Sequence, residues 1–248
     1  NGIEVDLANN SATGEGSDTL INIENVIGTT SVDTISGNSE ENLLQGFEGS
    51  DTLIGEAGDD TLEGGSGNDT LIGGAGVDTL DGGSEVDTID YTTSTGVSVT
   101  LDSSSDAIAS SNLGSDVVRN VENVLGSNSG ADTIAGDSSI NILDAQGGDD
   151  TLIASGGNDT IDGGSGSDTL NFDSSTSDVT LTLNEGSDAV ASSSLGLDVV
   201  RNIENVVGSS SNDTLTGDAL SNRLDGASGD DVLDGGAGAD TLLGSGGD

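Results

Sequence analysis

The chain has no cysteine, proline, methionine, tryptophan, histidine or lysine. Its only cations are Arg119, Arg201 and Arg223, and its only aromatics are Phe47, Tyr91 and Phe172. Each absence excludes something. Without cysteine there are no disulfides, so redox compartment is not readable. Without histidine, cysteine or lysine, no side chain supplies a base or nucleophile near neutral pH, and an enzyme is not expected. Large side chains supply most of a globular core's burial, so an ordinary core is excluded. Nucleic acid and anionic membrane surfaces need a basic face, which three arginines do not make. No stretch approaches the roughly 20 apolar residues of a membrane span, so membrane insertion is not expected. No secretory signal pattern is visible, and the sequence starts without Met and stops at "LGSGGD", inside a repeat. It reads as a piece of a longer protein. The 248 residues carry a formal net charge of −43. Such a polyanion is normally disordered, because little apolar area offsets chain entropy and self-repulsion. That reading fails only if cations belong to the fold.

What is present is a nine-residue period. Counting Gly28 as position 1, repeats begin at 28, 37, 46, 55, 64, 73 and 82, then at 127, 136, 145, 154 and 163, then at 208, 217, 226 and 235. Position 8 is Leu or Ile in all sixteen complete repeats, and position 6 is Asp in thirteen and Asn in three. A segment "D-T-L-x" is too short for a helix and suits a short strand. The Gly-rich residues before it make a turn that tolerates positive φ and close backbone approach. Alternation along the strand lets position 8 face inward while positions 7 and 9 face out. One such strand buries nothing alone, but stacked coils align their Leu residues in a thin column.

Stacking also aligns the Asp residues, about 4.8 Å apart. A ladder of bare carboxylates at that spacing repels itself. Calcium resolves the conflict, because it takes six to eight oxygens from carboxylates and backbone carbonyls in flexible geometry. On the order of ten ions would cancel about 20 charges.

"GGSGNDTLI", "GGAGVDTLD" and "GGSGSDTLN" resemble the GGxGxDxUx nonapeptide of the repeats-in-toxin (RTX) family. The resemblance implies an all-β fold, a right-handed parallel β-roll or β-solenoid, with two nonapeptides per coil and calcium between successive Gly/Asp-rich turns. It also implies type I export and folding outside the cell or at its surface. Carried over by position, the metal ligands are Asp51, Asp60, Asp69, Asp78 and Asp87 in the first run. They are Asp150, Asp159 and Asp168 in the second, and Asp231 and Asp240 in the third. Asn42, Asn141 and Asn222 replace Asp in the second repeat of each run, and Glu85 stands where Gly is expected at position 4. The opening repeats lack the double glycine, so Asp33, Asp132 and Asp213 are set apart as poorer ligands.

The stretches between runs repeat as well: "GSDTLINIENVIG", "GSDVVRNVENVLG" and "GLDVVRNIENVVG" end at Gly28, Gly126 and Gly208. An alternating strand precedes each, and the pattern predicts more solenoid coils with Ser-rich bulges. Three modules follow, 1–90, 91–171 and 172–248, stacked in one continuous solenoid. Glu24, Glu122 and Glu204 are expected in structural turns, and Asp18, Asp116 and Asp198 are candidates for extra ions. Tyr91 and Phe172 directly follow the last repeat of a run and are expected to plug a Leu column.

The function expected is a calcium-dependent extracellular structural scaffold, in an adhesin stalk, a surface layer or an extracellular filament. Calcium and copies of itself or other surface proteins are the expected partners. The alternative is a folding and secretion module of a larger exported toxin or hydrolase. An ice- or polysaccharide-binding repeat ranks lower, because positions 3 and 5 are irregular.

Overall fold

Thr-Leu-x triplets at repeat positions 7 to 9 form strands wherever the period predicts them. The computed structural model describes residues 1–246, and every regular element among them is a β-strand. The chain divides into two compact units, Asn1–Leu125 and Gly126–Asp248. The boundary falls between the second ENV segment and the second nonapeptide run.

In the first unit successive nonapeptides alternate between two sheets. Ile35 pairs with Leu53, Leu53 with Leu71 and Leu71 with Ile89 in one. Leu44 pairs with Leu62 and Leu62 with Leu80 in the other. All these ladders are parallel, and each step is two repeats. One coil is therefore two nonapeptides, as in a β-roll. The second unit repeats the pattern, with Leu152 opposite Ile134 and Leu170, and Ile161 opposite Leu143. The position-8 side chains fill the space between the sheets. Leu53, Leu62, Leu71, Leu80, Leu152 and Ile161 are all 0% exposed. Since this column is one side chain wide on each sheet, each member matters. Leu62→Ala is expected to cost about 2–5 kcal/mol in the calcium-loaded chain, read as a lower thermal midpoint.

The lead-in stretches depart from expectation. Each holds a three-stranded antiparallel meander, while outer strands and the ENV strands stack in parallel on nonapeptide coils as expected. Val97–Thr100 pairs antiparallel with Ala107–Ser111, which pairs antiparallel with Ser115–Arg119. Glu4–Asp6, Ser11–Thr13 and Ser17–Thr19 do the same, and so do Thr180–Thr182, Ala189–Ser192 and Leu197–Arg201. Period-2 alternation reports a two-faced strand but not its direction. The direction is set by the turns, and the Ser-rich "DSSSD" is a hairpin loop. Oδ1 of Asp102 accepts the Ser104 N–H at 2.8 Å and its hydroxyl at 2.7 Å, and Ser105 donates to Oδ2. Arg119 and Arg201, on the last strand of their meanders, pair with Asp106 and Asp188 at the start of the middle strand, at 2.6 and 2.5 Å. These pairs are exposed, so they fix the register more than they stabilise.

The last strand of the second and third meanders returns to parallel pairing. Ser115–Arg119 lies on Thr79–Ser84, and Leu197–Arg201 on Thr160–Asp162. The ENV strands Asn123–Leu125 and Asn205–Val207 lie on Thr88–Asp90 and Thr169–Asn171. Each pair of strands thus caps the two final nonapeptides of a run. Tyr91 and Phe172 sit beneath, 5% and 0% exposed, as plugs of the column.

Candidate metal centre

The position-6 carboxylates form rungs between coils. Oδ1 of each accepts the backbone N–H of the position-6 residue one coil earlier. Asp51 donates to Asp69 at 2.7 Å, Asp60 to Asp78 at 2.9 Å and Asp69 to Asp87 at 2.8 Å. In the second unit Asp132 donates to Asp150, Asp150 to Asp168 and Asp213 to Asp231. Two ladders result, one along each turn edge. Each second ladder of a run starts from a neutral amide, with Asn42, Asn141 and Asn222 donating to Asp60, Asp159 and Asp240.

The other oxygen sorts the repeats into two kinds. Oδ2 of Asp51, Asp60, Asp69, Asp78, Asp87, Asp150, Asp168 and Asp231 is buried without a hydrogen-bond partner. In the opening repeats Oδ2 is occupied. Thr29, Ser127 and Ser209 donate their N–H groups to Oδ2 of Asp33, Asp132 and Asp213 at 2.5, 2.7 and 2.6 Å. Their hydroxyls donate to Oδ1 of the same side chains. The three Asn side chains accept N–H groups of Asn38, Asp137 and Asp218 in the same way. Asp159 differs from the other expected ligands, because the Ser155 hydroxyl reaches its Oδ2 at 3.0 Å. Asp240 keeps its rung to Asn222 and is only half-buried.

A backbone angle explains the difference. Where Oδ2 is bare, position 2 has positive φ, which turns its N–H away from the carboxylate. Glycine takes that conformation readily at Gly65, Gly74, Gly83 and Gly164. Phe47, Glu56, Gln146 and Ala227 adopt it at φ of 86, 76, 67 and 62° despite a Cβ, at a cost of order 1–3 kcal/mol each. Glu85 likewise keeps positive φ at position 4 (81°), and its carboxylate accepts the Gly67 N–H at 2.6 Å. Position 1 needs glycine for a different reason. A Cβ at Gly46 or Gly64 would overlap both the Oδ2 of its own repeat and the position-1 carbonyl of the next coil. A bare carboxylate oxygen and a backbone carbonyl therefore crowd one small space.

The lead-in carboxylates continue the ladders. Asp78 and Asp159 donate to Oδ1 of Asp116 and Asp198 at 3.1 and 3.0 Å. Asp87 and Asp168 donate to Oε2 of Glu122 and Glu204, both at 2.9 Å. Those two glutamates thus close a run structurally. Asp116 and Asp198 differ in one atom of a neighbour. The Tyr91 hydroxyl donates to Oδ2 of Asp116 at 2.8 Å, and burial plus that carboxylate push the phenol far above its ordinary range. The third module has Phe172 at the matching place, and Oδ2 of Asp198 is bare. Tyr91→Phe is expected to destabilise by about 1–3 kcal/mol and Phe172→Tyr to stabilise by about 1 kcal/mol. Denaturant titrations in calcium check both, and shifts of equal sign would be the wrong result.

Without a counter-ion the ladders are strained electrostatically. Burial first, then neighbouring carboxylates, pushes Asp51, Asp60, Asp78 and Asp150 up to about 6, and Asp87 and Asp168 to about 7. Burial also lifts Asp198 to about 6. The three arginines do not help, because each is paired with another aspartate: Asp106, Asp188 or Asp225. Among the described residues no three carboxylates converge on one point. A metal here would draw one charge per turn and take its remaining oxygens from the backbone. That donor set, all oxygen and mixed carboxylate and carbonyl, suits a hard and geometrically flexible cation such as calcium. The bare Oδ2 atoms and the crowded carbonyls fit it.

Fold and site together define a class: a parallel β-roll whose turns, and not its core, carry the chemistry. A family model described as the RTX calcium-binding nonapeptide repeat (4 copies) matches residues 27–62, 54–89, 127–160, 144–176, 202–219 and 216–248. The chain belongs to that family and is a calcium-binding repeat protein. No curated protein was found to match the sequence.

Proposed function

We propose that the chain is an extracellular structural scaffold that calcium stiffens, a stalk or filament element of a cell surface. The observation that carries this reading is repetition. The same bare, buried Oδ2 recurs at Asp51, Asp60, Asp69, Asp78, Asp87, Asp150, Asp168 and Asp231, so the turns act in series and no single one is distinguished. Those eight carboxylates hold the ions, and Asp240 holds one at the half-buried last rung. Asp159 binds weakly while Ser155 occupies its oxygen. On the order of ten ions then replace proton-like neutralisation with links between coils. Extracellular calcium modules bind at roughly 0.1 to 1 mM, which keeps the chain extended until it leaves the cell.

The test is mechanical. Held by its ends in a single-molecule force experiment, the chain should resist extension in calcium and yield in steps. In chelator it should stretch as a featureless coil. Equal force curves in the two conditions would overturn the scaffold reading.

A further inference from the structure

The second and third lead-in segments each hold a degenerate nonapeptide. In "SSLGLDVVR", residues 193–201, Gly196 stands at position 4, Asp198 at position 6 and Val200 at position 8. "SNLGSDVVR", residues 111–119, places Gly114, Asp116 and Val118 alike. Both lack the double glycine of positions 1 and 2, and both lie outside the residues that the family model matches. The turn at Asp198 nonetheless stacks as a nonapeptide turn does. A Cβ at Gly196 would strike the Gly157 carbonyl of the coil before it, as one at Gly166 would strike that of Gly148. Leu197–Arg201 lies parallel on Thr160–Asp162, and Oδ1 of Asp198 takes its rung from Asp159.

The two degenerate turns part at Oδ2. Asp116 and Asp198 are both buried, at 1% and 0% exposure. Oδ2 of Asp116 receives the Tyr91 hydroxyl at 2.8 Å. Oδ2 of Asp198 is buried with no hydrogen-bond partner. Phe172 takes the backbone place of Tyr91, since its N–H donates to the Val207 carbonyl at 2.9 Å as that of Tyr91 does to Leu125. Its ring ends one oxygen short. A buried carboxylate oxygen left without a partner is costly, and the same bare oxygen marks the nonapeptide turns that fit calcium. The rest of this ladder offers no other such oxygen. Asn141 is neutral and Ser155 reaches Oδ2 of Asp159. Among the described residues, Asp198 therefore carries the one bare Oδ2 on that edge of the second run.

We propose that Asp198 holds a further calcium ion, outside the nonapeptide runs, where the third lead-in segment meets the second run. Oδ2 supplies the charge, and backbone carbonyls of the stacked turns supply neutral oxygens, the donor set of a hard cation. The ion does in the second unit what the Tyr91 hydroxyl does in the first. It pins the last strand of a meander to the end of a run. One junction is thus closed at any calcium level, and the other only when the ion is bound. This site adds to the nonapeptide sites and does not depend on the scaffold reading.

Calcium bound per chain, measured by equilibrium dialysis of the intact 248-residue chain at saturating calcium, tests this. Phe172→Tyr should bind about one ion fewer than the unaltered chain, and Tyr91→Phe about one more. The two substitutions together should restore the original number. Asp198→Asn should also lose about one ion. The fold accepts that change, since the chain already carries Asn at position 6 in three repeats. Circular dichroism in calcium shows that each variant is folded. The stability gained by Phe172→Tyr should shrink as calcium rises, because a fixed hydrogen bond then displaces a more fully bound ion. Folded variants that bind as much calcium as the unaltered chain overturn the site, and a proton or a water then satisfies Oδ2. A gain from Phe172→Tyr that does not change with calcium overturns it too.

Discussion

Chelation at neutral pH is expected to remove essentially all β-sheet signal from the circular dichroism spectrum, and calcium in the range of about 0.1 to 1 mM to restore it. Adjacent rungs lie about 4.8 Å apart, where two like charges repel by about 3 kcal/mol even at an effective dielectric constant near 20. The first unit alone stacks Asp33, Asp51, Asp69 and Asp87 on one edge and Asp60, Asp78 and Asp116 on the other. Against this stands a column of single Leu and Ile residues. Each buried side chain of that kind contributes roughly 1.5–3 kcal/mol, from which ordering entropy must be subtracted. The repulsion is comparable to what the core supplies, so the metal decides. Because each coil touches only its neighbours, the calcium titration should be steep within a run. A spectrum unchanged by chelator would refute the central role of the ion.

Acid should rescue the chelated chain. The bare carboxylates have folded pKa values raised from 3.8 to about 6 at Asp51, Asp60, Asp78 and Asp150, and to about 7 at Asp87 and Asp168. Groups raised on folding bind protons more tightly in the folded state. Their contribution is fully present below about 3.8 and is lost as pH rises through about 6 to 7. Titrating the chelated chain from about pH 7.5 down to about 4.5 should therefore bring the β-sheet signal back, in the window where an ordinary acidic protein begins to lose stability. Protons and calcium compete for the same oxygens, so calcium affinity should fall over the same window. A chelated chain as disordered at about pH 4.5 as at neutrality would show that charge on these carboxylates does not control the fold.

Stacked coils were legible in the sequence because position 8 is Leu or Ile in every complete repeat, whereas the two-repeat coil of a roll came only with the resemblance to the repeats-in-toxin family. The separation of Asp33, Asp132 and Asp213 from the other aspartates was legible too, since Thr29, Ser127 and Ser209 replace the glycine pair. The meanders were not. Alternation at Val97, Val99 and Leu101 looks the same in a parallel coil and in a hairpin. A signal was available in "DSSSD", whose Asp can accept from the serine two residues on. Ser155 was also passed over, although a hydroxyl four residues before a position-6 Asp is visible in the sequence. The positive φ at Phe47, Glu56, Gln146 and Ala227 could not be read at all, because it is imposed by the coils above and below. The pairing of Tyr91 with Asp116 depends on a contact 25 residues apart through the interior.

The hydroxyl and N–H caps on Asp33, Asp132 and Asp213 give each run a direction of assembly. The first two turns of a run, capped at the opening Asp and the following Asn, can close with no ion present, as a seed, whereas the turns whose Oδ2 is bare must wait for one. Folding would then zip from the amino-terminal side of each run, with ions loading behind an advancing front.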